Sequence, residues 1–526
     1  MIDNVLLGFE TALTPENLLW CLVGVLAGTV IGLLPGLGSS TGVAVLIPLT
    51  LAFEPVTALI MLAGIYYGAQ YGGTITSVLI STPGEASSVV TTLDGYQMAR
   101  LGRAGPALAI AATGSFFAAI VSLLLLAMVA PPLAEFALGF GPPENVAVMI
   151  LGFATIITFS GDSKLKGLAM AVVGVLLATV GVDAAGGTAR FTFGSVNLLS
   201  GIPYVEAMIG LFAVGEVMYQ IRQGAAAPIR ATFREMLISR RDIAQSKGAI
   251  IRGSGIGFLL GCLPGAGSTL ASFLAYGVEK RVSRNKADFG KGAIEGVAAP
   301  ESANNAAANA NFVPTLTLGI PGGATTAVLL GAFTVYGIQP GPLLFEEQPS
   351  LVWGLLASFF IGNVLLLVLN LPMAPVFAQI LRVPYGYMYP LILFTSFVGA
   401  YAIDNNFFSV WLVFVFGLIG YVMKLFDIPI APLVLGLVIG SLFEKALVQT
   451  SALGDGDLTI LFTRPIAVSV LLLAALFVVA PTLLGRLKGG RGRGGAGGHG
   501  AGPAGADDRT TRPSHPDPDN SEETRV

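Results

Sequence analysis

Apolar residues fill most of this chain in blocks that lack the alternation of a half-buried helix or strand. Ala107 to Ala130, Leu351 to Leu371 and Ile466 to Leu484 each approach the ~20 residues that a helix needs to cross a bilayer. The short alternating strands of a membrane barrel are absent. Polar positions interrupt the apolar blocks in an ordered way. Gly28-Thr-Val-Ile-Gly-Leu-Leu-Pro-Gly-Leu-Gly-Ser-Ser40 recurs as Gly257-Phe-Leu-Leu-Gly-Cys-Leu-Pro-Gly-Ala-Gly-Ser-Thr269. Gly28, Gly32, Leu34, Pro35, Gly36, Gly38 and Ser39 reappear at the same spacing. The pattern predicts a duplicated unit, each copy breaking its helix at a Pro-Gly with hydroxyls behind it.

A second break follows in each copy. One is Gly72-Gly-Thr-Ile-Thr-Ser-Val-Leu-Ile-Ser-Thr-Pro-Gly-Glu-Ala-Ser-Ser88; the other is Pro314-Thr-Leu-Thr-Leu-Gly-Ile-Pro-Gly-Gly-Ala-Thr-Thr326. Pro83-Gly84 matches Pro321-Gly322, and Ser87-Ser88 matches Thr325-Thr326. Pro ends a helix and Gly permits tight turns. The helix that restarts has free N–H groups and a partial positive charge. Ser and Thr in its first turn add donors, and such starts bind carboxylate or phosphate. The expected anion-binding set is Pro35, Gly36, Gly38, Ser39 and Ser40; Pro83, Gly84, Ser87 and Ser88; Gly265, Gly267, Ser268 and Thr269; and Gly322, Gly323, Thr325 and Thr326. No Lys or Arg lies close in sequence to any break, so the anion is expected to be held with little or no basic help. The competing reading is that the breaks are packing kinks whose hydroxyls satisfy local backbone.

Basic residues set the topology. A stretch from Arg222 to Arg252 separates the halves, and Lys280 to Lys291 carries a second cluster; both are expected on the cytoplasmic side. They flank the second hairpin on both sides. The first hairpin has Asp3, Glu10, Glu16 and Glu54 around it and no Lys or Arg before Arg100. The two hairpins therefore open to opposite faces, and the copies are inverted. Arg190, Lys445 and Arg464 fall on or near loops assigned to the outside, against the rule. The resulting expectation is an all-α polytopic membrane protein, an inverted repeat with re-entrant hairpins, broken helices and about 11–12 membrane segments. Its parts are a first repeat (1–221), a basic cytoplasmic linker (222–252), a second repeat (253–460), a final transmembrane helix (461–487) and a disordered cytoplasmic tail (488–526).

Composition sharpens this. Hydrophobic residues make up 54% and charged residues 11%, against about 25% charged in ordinary soluble domains. Both histidines, His499 and His515, lie in the tail, which removes His-based metal sites, triads and proton relays from the membrane portion. Cys21 and Cys262 sit in apolar sequence and read as packing residues. Met1-Ile-Asp-Asn lacks the basic start of a cleavable signal peptide. Ionisable groups at membrane depth are functional candidates by default. Glu85 and Glu301 are the candidates for proton or sodium coupling, or else helix-dipole partners. In Glu301-Ser-Ala-Asn-Asn-Ala-Ala-Ala-Asn-Ala-Asn311, Asn304 and Asn305 either contact substrate or bond between helices. No cofactor and no metal are expected.

These motifs resemble the large permease subunit of the tripartite tricarboxylate transporters, the TctA family. The matching residues are Gly32-Leu-Leu-Pro-Gly-Leu-Gly38, Tyr67-Gly-Ala-Gln-Tyr-Gly-Gly-Thr74, Ser81-Thr-Pro-Gly-Glu-Ala-Ser-Ser88, Asp94-Gly-Tyr96, Ala299-Pro-Glu-Ser-Ala-Asn-Asn305 and Gly319-Ile-Pro-Gly322. The resemblance runs over residues 15–485. It implies a cation-coupled secondary transporter of a bacterial inner membrane. Such a transporter works with a small membrane subunit and a periplasmic solute-binding protein, and takes up di- or tricarboxylates such as citrate. The alternatives are a stand-alone organic-anion symporter and an anion channel. The lack of membrane histidine and of clustered acids argues against an enzyme.

Overall fold

The computed structural model describes residues 2–34, 36–159, 164–183, 187–221, 238–380 and 385–490. Among the described residues the chain is all-α apart from a two-residue antiparallel pairing, Gly181–Val182 with Ala189–Arg190. Five of the described helices are long and apolar enough to cross a membrane: Pro15–Gly32, Ala104–Ala137, Pro349–Leu369, Phe407–Leu425 and Ile430–Leu453. Shorter apolar helices accompany them, among them Gly38–Thr50 and Ala324–Val335. Large apolar side chains such as Leu124, Met128, Trp411 and Leu472 are exposed along this surface, which suits a lipid-facing exterior. This is the polytopic helical membrane protein that the apolar blocks predict. Residues through Val479 form one compact unit, and Ala480–Val526 a second. The described residues of the second unit are 480–490, and the rest of the tail lies outside them.

The two copies place their helix breaks in the same order. In the first, α1 (Ile2–Ala12) leads into α2 (Pro15–Gly32), which starts with Thr14 capping the Asn17 N–H and Pro15 at the first helical position. It stops before the Pro-Gly, and α3 (Gly38–Thr50) restarts the chain. α4 (Pro55–Ile80) follows, then the second break, then α5 (Thr91–Arg100) and α6 (Ala104–Ala137). The second copy repeats the pattern after α7 (Pro142–Phe159), α8 (Lys164–Ala178), α9 (Tyr204–Met208), a π-helical turn (Ile209–Val214) and α10 (Gly215–Gln220). α11 (Arg240–Gly261) and α12 (Gly267–Val282) flank the first break; α13 (Glu295–Ala310), α14 (Phe312–Leu318) and α15 (Ala324–Val335) flank the second. Helix ends and restarts fall at matched positions, Gly32 with Gly261 and Gly38 with Gly267. α11 begins inside the basic stretch assigned to the linker. A Ser239–Asp242 capping box starts it, and Arg103 pairs with Asp242 at 2.6 Å. Residues 222–237 of that linker lie outside the described residues.

α4 and α13 are the central helices, with every residue from Thr57 to Ile80 and from Glu295 to Ala310 buried. Small-residue stripes seat them. Gly24, Gly28 and Gly32 of α2 lie against the backbone at Met61, Ile65 and Ala69 of α4, while Gly64, Gly68 and Gly72 of α4 lie against α2 in return. In the second copy Gly253, Gly257 and Gly261 of α11 pack on Ala299, Ala303 and Ala307 of α13. A Cβ on Gly28 would stand 2.6 Å from the Ile65 Cα, and one on Gly257 would stand 2.8 Å from the Ala303 Cα. Close backbone approach of this kind is how helices associate where lipid removes the hydrophobic drive between them.

The remaining helices are α16 (Leu344–Glu347), α17 (Pro349–Ile380), α18 (Tyr385–Asp404), α19 (Phe407–Leu425), α20 (Ile430–Leu453), α21 (Ile460–Thr463) and α22 (Pro465–Gly490). Two of the three basic residues that break the topology rule have acidic partners. Arg190 pairs with Glu444 at 2.6 Å and Asp183 at 3.5 Å, and Arg464 reaches Glu144 at 3.9 Å.

Candidate functional site

All four breaks meet at one cavity of about 460 Å³, within the range of small-molecule sites. Gly36, Gly38, Ser40 and Thr41 line it from the first break, and Pro83, Gly84 and Glu85 from the second. Gly267, Ser268 and Thr269 come from the third, and Gly323, Ala324 and Thr325 from the fourth. Pro35 lies outside the described residues.

Three of the breaks restart as α-helices aimed at this cavity: α3 at Gly38, α12 at Gly267 and α15 at Ala324. First-turn N–H groups have no acceptor within their own helix, so these starts are suited to an anion. Gly38 and Gly267 both take φ +65°, a left-handed conformation that costs glycine little. The second break differs from expectation. Only the single 3₁₀ turn Ala86–Ser88 follows Pro83-Gly84 before α5. Ser87 and Ser88 consequently turn inward. Ser87 donates to the Gln70 amide oxygen at 2.9 Å, and Ser88 donates to the Glu85 carbonyl at 2.9 Å.

Polar contacts tie the four breaks into a ring. Glu85 of the second break accepts from the Ser39 N–H at 2.8 Å and the Ser39 hydroxyl at 2.7 Å. It therefore caps α3 of the first break. Ser39 and Ser40 meet the Thr325 hydroxyl of the fourth break at 2.7 and 3.1 Å. The Gly322 carbonyl of the fourth break accepts from the Gly267 N–H of the third at 3.2 Å. Ser268 of the third meets the Gln70 amide at 3.5 Å, the longest link, and Gln70 returns to Ser87 of the second. Thr326 stays local, its hydroxyl bonded to the N–H and C=O of Gly323. A Cβ on Gly322 would stand 2.6 Å from the Asn311 Cα. Gly265 is a turn residue at φ +76°. Neither Gly265 nor Gly322 is among the residues that line the cavity.

Glu301 sits behind the ring on α13, 1% exposed. One carboxylate oxygen accepts from Thr74 at 2.6 Å and the other from Thr91. Asn304 is fully buried on the same helix. Asn305 donates to Ser115 at 2.7 Å and Asn309 to the Ala119 carbonyl at 3.3 Å, both on α6. Those two amides are interhelical bonds, and neither Asn304 nor Asn305 lines the cavity.

One basic residue does reach the cavity, from a part of the chain remote from the breaks. Lys424, from the last turn of α19, lines it together with Glu216 of α10, and the two form an ion pair. No motif marks either residue, and they lie far from all four breaks in sequence. Their one signal is a lone charge in an otherwise apolar run, Val214-Gly-Glu-Val-Met218 and Gly420-Tyr-Val-Met-Lys-Leu425, of the kind that flags function at membrane depth. Tyr66 and Asn311 also line the cavity. The Asn311 amide is satisfied when its oxygen accepts from the Tyr66 hydroxyl at 3.1 Å and its nitrogen donates to the Gly261 carbonyl at 3.1 Å.

Known proteins bear on this geometry. An uncharacterized 52.8 kDa protein in the TAR-I ttuC' 3' region of Agrobacterium vitis is 49% identical over 472 residues, covering 90% of this chain and 94% of the relative. A second uncharacterized protein, in the TAR-II ttuC' 3' region of the same organism, is 49% identical over 215 residues, 41% of this chain and 89% of the relative. No solved structure matches the chain. The family model described as the tripartite tricarboxylate transporter TctA family matches residues 18–435, which spans all four breaks, Glu216 and Lys424, and the chain belongs to that family.

Proposed function

We propose that this chain is the large permease subunit of a cation-coupled, binding-protein-dependent secondary transporter that takes up di- and tricarboxylates of the citrate kind. Family membership points to a transporter rather than an enzyme. The observation that carries the substrate class is the convergence of four paired helix breaks on one cavity, with the hydroxyls of Ser40, Ser268, Thr269 and Thr325 on its wall. Glu85 already takes the Ser39 N–H and Gly322 the Gly267 N–H; the other first-turn N–H groups of the three helix starts, with Lys424, offer the donors that carboxylates need. The substrate lies between Gly36–Ser40, Pro83–Glu85, Gly267–Thr269 and Gly323–Thr325.

Charge supports the coupling. The cavity holds the carboxylates of Glu85 and Glu216 and the ammonium of Lys424. A multivalent anion entering beside Glu85 meets a like charge at short range, which is unfavourable in a low-dielectric site. A proton or sodium ion bound at Glu85, or at Glu301 behind it, removes that penalty and ties substrate entry to the cation. The two copies are inverted around this site, as in other repeat-built transporters. The protein resides in a bacterial inner membrane with its C-terminus cytoplasmic. A small membrane subunit and a periplasmic binding protein complete the system.

The test is uptake of labelled citrate into proteoliposomes holding this chain and the small subunit, with the binding protein added outside. Accumulation that requires a sodium or proton gradient and the binding protein supports the proposal. Accumulation without the binding protein indicates the stand-alone symporter instead. No accumulation of any carboxylate overturns the reading.

A further inference from the structure

Lys424 is the only Lys or Arg among the described residues that line the cavity. It is delivered there by unusually close helix packing. Gly417 and Gly420 of α19 lie on the π-helical turn, where a Cβ on Gly420 would stand 2.6 Å from the Leu211 carbonyl. Gly215 of α10 abuts Gly420 in the same way, its Cβ position 3.0 Å from the Gly420 Cα. π-helical turns inside α-helical stretches are frequent at functional sites. Here the π-helical turn ends two residues before Glu216.

Glu216 is the partner. Its side chain is 3% exposed while that of Lys424 is 28% exposed, so the pair is buried at the acid and open to the cavity at the lysine. The second carboxylate oxygen accepts from Gln220 at 2.8 Å. Gly36 of the first break lies against the same carboxylate: a Cβ there would stand 2.5 Å from Oε1. The break that is repeated so faithfully is thus in direct contact with the pair. The Glu216 carboxylate is held by Gln220 independently of Lys424. The lysine is a point charge on a flexible stem, its ammonium 5.6 Å from the centre of the Tyr219 ring.

We propose that Lys424 is the residue by which the cavity selects multiply charged carboxylates, exchanging Glu216 for a substrate carboxylate when the site fills. This rests on the carboxylate-transport reading above. Hydroxyls and helix starts around the ring serve any carboxylate. A second or third carboxylate on the same molecule needs a full countercharge, and Lys424 is the group placed to supply it. Glu216 acts as an intramolecular competitor, occupying the ammonium until a stronger anion arrives.

Binding of labelled citrate, succinate and acetate to the purified full-length chain tests this, with melting temperature as a control on folding. Lys424→Gln is expected to weaken citrate and succinate by about tenfold or more and acetate far less, because a charged hydrogen bond is lost only for the larger anions. Lys424→Arg is expected to keep most of the preference. Glu216→Gln frees the lysine and is expected to tighten citrate binding. A structural ion pair gives a different pattern. Both single variants would lose stability and binding together, and Lys424→Gln/Glu216→Gln would restore both. If Lys424→Gln does not fold, that double variant decides. Loss of the citrate-over-acetate preference upholds the proposal, and a wild-type preference overturns it. If the unsubstituted protein binds no carboxylate, the transport reading itself has failed, which is a separate outcome.

Discussion

Thr325 joins the two copies at the cavity wall. Its hydroxyl meets Ser39 at 2.7 Å and Ser40 at 3.1 Å across the interface between repeats. Thr325→Val removes both contacts without changing shape. It should cost about 1–2 kcal/mol of stability and slow citrate uptake roughly tenfold. Thr317→Val is the control, because its hydroxyl only bonds the Val313 carbonyl of its own helix at 2.7 Å. Uptake rates and melting temperatures of the two variants separate a role at the site from a general loss of hydroxyls. At this scale the sequence was informative where chemistry and position repeat. The Pro-Gly breaks with their Ser and Thr are legible because each is written twice. Lys424 and Glu216 are single, unrepeated charges, and their meeting depends on how α19 seats on the π-helical turn. Nothing local encodes that. The Ser87 and Ser88 hydroxyls were legible as polar but not in direction, because Gln70 of α4 draws one inward and the turn backbone takes the other.

At the scale of elements, glycine spacing decides how the central helices sit. The stripe Gly24, Gly28, Gly32 faces its counterpart Gly64, Gly68, Gly72, and both are visible in sequence as four-residue repeats. What sequence does not disclose is which stripe meets which. Gly28→Ala forces its Cβ to 2.6 Å from the Ile65 Cα, so α2 must move off α4. Overpacking of this kind typically costs about 1–3 kcal/mol. Gly277→Ala in α12 meets nothing within 4 Å and should be neutral or slightly stabilising, since alanine favours helix. Chemical denaturation of the two variants in detergent checks the contrast. If Gly28→Ala is as harmless as Gly277→Ala, the close packing of α2 on α4 is wrong. Elements of the two copies also bond to each other beyond the cavity. Asp94 of α5 accepts from the N–H groups of Gly290, Gly292 and Ala293 at 2.8 to 2.9 Å and from the Tyr276 hydroxyl at 2.9 Å. On the other pairing, the Tyr336 hydroxyl at the end of α15 donates to the Thr50 carbonyl at 2.5 Å. α5 is therefore fastened to α12 and to the segment that follows it, and α15 more lightly to the end of α3.

For the molecule as a whole, the duplication has a consequence that neither copy could reach alone. Each copy contributes two breaks, and the polar ring closes only because Ser39 and Ser40 meet Thr325 and Ser268 meets Gln70 across the copies. One copy has half a ring and half a cavity wall. Two copies enclose a site whose donors are mostly uncharged, with Lys424 and Glu216 set against it from α19 and α10. The measurement that tests this most directly is a cryo-EM map of the protein with citrate. Ligand density is expected inside the ring, between Ser40, Gly84, Thr269 and Thr325, with one carboxylate against Lys424. Citrate density elsewhere in the molecule, with this cavity empty, would contradict it.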